Sequence, residues 1–176
     1  MNVLKAQGSR RDFYTIIIGT YLLVTIYAIL HDQYIVRIAP EHFTIYHDPL
    51  WGIKNPLLLA AAYAFCSAPL PALALGCVAA FISLALPKKW PPLGWRQVLR
   101  GVICVIIAAE LASIATGIYA FTTKNMLYGS RLYPDKSLPL IVTQTVQLTC
   151  YLTSALFSCA LFVYLIRKRV IQPLLA

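Results

Sequence analysis

The chain has 176 residues, 60% of them hydrophobic and only 12% charged, with a mean hydropathy of +0.72. That composition excludes a cytosolic enzyme, a disulfide-framed secreted module and a nucleic-acid-binding domain built on the net charge of +9. Four apolar stretches, each able to cross about 30 Å of hydrocarbon as a helix, predict an all-α, polytopic membrane protein with a single membrane domain over 1–176.

A polar head, Met1 to Asp12, places Lys5, Arg10 and Arg11 before the first apolar run, Phe13 to Leu30. The run is about twice as long as a signal-peptide core and lacks a small-x-small cleavage site, so it reads as a retained first span. The next connection, His31 to Pro56, holds all three histidines. Its Tyr, Ile, Val, Phe and Thr content predicts short extended segments or a hairpin capping the membrane surface, with Trp51 as an interfacial anchor. Glu41, His42, His47 and Asp48 form a metal set by residue type. The five-residue spacing of the two histidines puts them on opposite faces of a strand and about 140° apart on a helix. A metal or haem site therefore requires the loop to fold them together with His31, and a hydrogen-bonded cap is the simpler reading.

The second run, Leu57 to Leu86, contains Pro69 and Pro71 and predicts one kinked helix with freed carbonyls near Phe65 and Ser67. Pro87, Pro91 and Pro92 punctuate the connection to the third span, Gly101 to Phe121, and the fourth is Leu138 to Ile166. Fifteen Lys and Arg residues divide unevenly between the two sides: the head has three, the second connection four and the tail three, against five on the other side. Basic residues near span ends are retained in the cytoplasm, so both termini are expected there. The positive charge then reads as topology and attraction to anionic headgroups.

Glu110 lies at the middle of the third span, where a carboxylate costs several kcal/mol unless it faces the bundle interior and is hydrogen-bonded. Such a group is expected to be held neutral or to mark a proton or cation site. Ala109, Ser113 and Gly117 make a small-residue ridge beside it, which predicts the third span as the central packed helix. Along the fourth span, Gln144, Gln147, Tyr151, Ser154 and Ser158 recur at steps of three and four, keeping to one face that belongs against another helix, with Glu110 as its expected partner. Counting inward brings Tyr21, Pro69, Pro71, Glu110 and Tyr151 to one depth.

The five cysteines lie inside apolar runs without a C-x-x-C pair, which leaves no thiol-oxidising chemistry. Phosphate loops, dinucleotide glycine motifs and H-E-x-x-H are lacking, and no cofactor is indicated. The leading expectation is a non-enzymatic integral membrane subunit or scaffold that binds partner helices, a second copy of itself or lipids. A small proton- or cation-linked transporter working through Glu110 is the alternative, and a metal- or haem-binding protein using the loop histidines the third. Compactness and charge bias point to a bacterial inner membrane.

Overall fold

The computed structural model describes residues 10–85, 90–128 and 137–170. Among these the chain is all-helical, without a strand, and four segments are long and apolar enough to cross a membrane. The first is α1 (Arg10–Ile38), followed by a single turn, α2 (Glu41–Thr44). The second span comprises α3 (Pro56–Ser67), α4 (Pro69–Ala80) and a π-helical turn (Phe81–Ala85). The third is α5 (Trp95–Thr123) and the fourth α6 (Leu138–Val170).

The first span is two turns longer than its apolar run. No glycine or proline interrupts the chain between Leu30 and Pro40, and the helix stops only where the residue before a proline is pushed out of helical geometry. His31 and Asp32 therefore stand in the helix and not in the connecting loop, which corrects the boundary drawn from hydropathy. What is left of the connection carries the α2 turn in place of the expected extended segments. At the start of α3 the Asn55 side chain accepts from Leu57 N at 2.9 Å and Leu58 N at 3.3 Å, with Pro56 in the first helical position. Pro69 cannot donate to Phe65, yet Ala68 N still donates to Ala64 O and Ala72 N to Ala68 O, each at 3.0 Å. The second span is thus jointed at Ala68 without being broken.

A buried stripe on α5, Val98, Val102, Val105, Ala109, Ser113, Gly117 and Ala120, repeats every three or four residues and packs chiefly on α6. The fit is close: a Cβ added to Gly117 would stand 2.7 Å from Val146 Cγ2. α1 lies against the second span and against α5, and also touches α6, so it takes the shared central position expected of the third span. One apolar cluster, including Ile16, Val98 and Leu165, fills the end where α1 begins; a second, including Ile35, Leu59 and Val142, fills the opposite end. Tyr27, His31, Glu110 and Cys150 lie between them.

Candidate intramembrane site

Glu110 is the focus of that middle layer. Tyr27 Oη donates to Glu110 Oε2 at 2.8 Å, and His31 Nδ1 lies 2.9 Å from the same oxygen. Tyr27, His31 and Tyr34 follow one another at steps of four and three along α1, which sets all three on one face toward α5. The Tyr34 hydroxyl reaches His31 Nδ1 at 3.0 Å, and that of Tyr27 is 3.2 Å from Cys150 Sγ on α6. Three spans are joined through five side chains. Tyr27 donates to this oxygen, and His31 Nδ1 either donates to a carboxylate or accepts from a carboxyl, so the arrangement suits an ionised Glu110 as well as a neutral one. With Nδ1 turned to Glu110, the remaining ring nitrogen of His31, Nε2, is buried without a partner among the described residues. Such a group in a membrane interior calls for a ligand or for water.

His31 also lines a cleft of about 420 Å³ bounded by α1, the second span, α5 and α6. Toward the end where α1 finishes, its walls carry Asp32, Ser67 and Tyr151; toward the other end they carry Val24, Leu75 and Val105, with the hydroxyl of Ser158 at that level. Pro71 on one rim and Tyr151 and Ala155 on the other are exposed, so the cleft opens sideways between α4 and α6. No Lys or Arg lines it.

The fourth-span stripe is only partly drawn into this layer. Gln147 Nε2 donates to Asp32 Oδ1 at 3.4 Å and Gln147 Oε1 accepts from Tyr151 Oη at 2.8 Å, so this part of the stripe meets Asp32 of α1 and not Glu110 of α5. Gln144 is buried on the same helix, while Ser154 and Ser158 line the cleft. Ser113 donates to Ala109 O of its own helix at 2.8 Å and serves the α5 ridge. Tyr21 does not line the cleft, and Tyr27, six residues further along α1, makes the contact with Glu110 expected at this depth.

The exterior candidates divide. His42 and His47 are brought together by the turn after α2, with ring centroids 4.6 Å apart and His47 Nδ1 2.6 Å from His42 O. Glu41 and Asp48 are exposed. Among the described residues no three His, Cys, Asp or Glu side chains converge as a metal set, and His31 is held at Glu110. His42 is instead a core residue of the cap, edge-on to Phe43.

Burial, with the charge of His47 as a lesser cause, lowers the pKa of His42 from 6.5 to about 3. An opened cap takes up a proton below pH 6.5 that the closed cap refuses, so closure is at full strength above 6.5 and weakens down to about 3. The expected slope is about 1.4 kcal/mol per pH unit over that window. Hydrogen exchange of the 42–46 amides, corrected for intrinsic pH dependence, should show it in the wild type and not in His42→Leu.

The chain matches no known protein family, no curated protein and no solved structure, so a functional reading starts from this cleft.

Proposed function

We propose that the chain is a non-enzymatic membrane protein that binds a neutral or cationic amphiphile in its interior cleft, the polar end at His31, Asp32 and Tyr151 and the apolar end toward Val24 and Leu75. The observation that carries this reading is the laterally open cleft itself, lined by His31, Asp32 and Tyr151 toward one end and by Val24 and Leu75 toward the other. A lateral opening suits a molecule that arrives through lipid, and two carboxylates near the polar end, with no lining Lys or Arg, disfavour an anion. The excess of basic residues at the other face supports a cytoplasmic placement of that face, as in a bacterial inner membrane.

Photo-crosslinking tests it. A diazirine-bearing long-chain amine and the matching alcohol, incubated with protein in mild detergent, should leave adducts around Tyr151, Ser154 and Ser67, and Ala155→Phe should remove them by closing the mouth. Adducts confined to outward residues such as Leu111 and Ile118, unchanged in Ala155→Phe, would overturn the reading.

The Glu110–His31 pair favours a second reading, in which the occupant moves across the membrane in exchange for a proton held by this pair. As a subunit of a larger assembly the chain would bring stoichiometric partner chains from native membrane, which mass spectrometry of the co-eluting material reads.

A further inference from the structure

The bundle has a second hollow, of about 540 Å³, on the outer seam between α5 and α6. It starts among polar groups at the basic face, where Arg100 and Lys168 both line it beside Gln97, and runs along α5 past Gly101 to Ala108 with Ala160 opposite. From Gly101 to Ala108 is about 10 Å of helix. The trough exists because small side chains sit on α5 over two turns, while Phe157 and Leu161 form its α6 wall.

Its rim is charged for an anion. Arg100 is exposed and makes no hydrogen bond or ion pair with a described residue. Lys168 Nζ is held 3.2 Å from Tyr164 Oη and 5.6 Å from the centre of that ring, which turns the ammonium toward the seam without neutralising it. Arg96 and Arg167 lie one turn and one residue away from this pair and strengthen the local positive potential.

From the juxtaposition of two cations with an apolar trough about 10 Å long, we infer that this seam binds one anionic phospholipid, its phosphate at Arg100 and Lys168 and the upper part of one acyl chain along Gly101 to Ala108. Basic pockets between spans recognise headgroups in this way. The site does not depend on the interior cleft, which Asp32 lines and no Lys or Arg does.

Native mass spectrometry in mild detergent, with phosphatidylglycerol and phosphatidylcholine of identical chains in competition, tests the inference. The wild type should retain phosphatidylglycerol with a preference of about tenfold. Arg100→Gln/Lys168→Gln should bring the two lipids near parity, whereas Arg10→Gln/Arg11→Gln, which removes equal charge from the same face outside the trough, should leave the preference intact. Ala160→Phe, with every charge present, should lower retention of phosphatidylglycerol by filling the trough, and it decides the matter if the double variant does not fold. Three results overturn the inference: no preference in the wild type, the same loss in both double variants, or displacement of the lipid by inorganic phosphate at equal concentration.

Discussion

Replacing His31 with leucine is expected to destabilise the bundle by about 3 kcal/mol, and replacing Glu110 as well to restore most of that loss. The asymmetry follows from where the two groups lie. His31 is 6% exposed, and its Nδ1 is 2.9 Å from a carboxylate oxygen at the middle of a span. Removing the imidazole leaves Glu110 with hydroxyl donors alone in a medium that cannot solvate a charge, whereas His31→Leu/Glu110→Leu removes both polar groups and keeps the volume. Isolated hydrogen bonds between spans average only about 0.6 kcal/mol, so the size of the coupling separates the possibilities. Unfolding in mixed detergent micelles of the two single variants and the double variant gives it. A coupling above about 2 kcal/mol marks a pair whose partners depend on each other's charge; additive losses below about 1 kcal/mol each make the cluster ordinary interhelical adhesion. Glu110→Gln then bears on function. If it still binds the crosslinked amphiphile but no longer couples binding to proton uptake, the proton-exchange reading stands; unchanged uptake removes it.

The same pair shows what the sequence made legible. Four spans, their approximate limits, the jointed second span and the buried ridge of Ala109, Ser113 and Gly117 are all written in apolar run length and in the spacing of small residues. Both patterns are local, and lipid leaves a helix few alternatives. His31 was hidden because a hydropathy boundary ends at the first polar residues, while the helix ends where its hydrogen bonding must, at Pro40. The signal that finds it is the Tyr27, His31, Tyr34 repeat continuing the helical face past Leu30. Partner choice between spans was not legible: the fourth-span stripe has the right period, but only the packed bundle places Gln147 at Asp32 and leaves Glu110 to α1. The meeting of His42 with His47 depends likewise on a turn that neither strand nor helix spacing describes.

Arg169 gives the other large effect. It stands in the last turn of α6, yet only 2% of it is exposed. Its Nη1 donates to Ile82 O at 2.6 Å and its Nη2 to Leu84 O at 3.3 Å, both in the π-helical turn that ends the second span. Carbonyls at a helix C-terminus lack partners within the helix and carry its negative partial charge, so a guanidinium there serves as hydrogen-bond donor and counter-charge together. The fork of Arg spans two carbonyls at once, which a single ammonium does not. Nη2 also reaches Trp90 O at 3.5 Å, so Arg169→Ala is expected to cost about 3 kcal/mol, chiefly from the two shorter charge-assisted bonds, and Arg169→Lys about half of that. Leu93 N, which donates to Ser83 O at 3.0 Å, would remain as the other tie to this turn. Thermal unfolding in detergent measures the loss, and faster hydrogen exchange at the amides of Phe81–Ala85 should accompany it, with the Tyr27–Glu110 level unchanged. Equal stability of the alanine variant would show that water at the membrane surface satisfies these carbonyls as well as arginine does. An intermediate lysine variant would separate the part played by charge from the part played by the forked geometry.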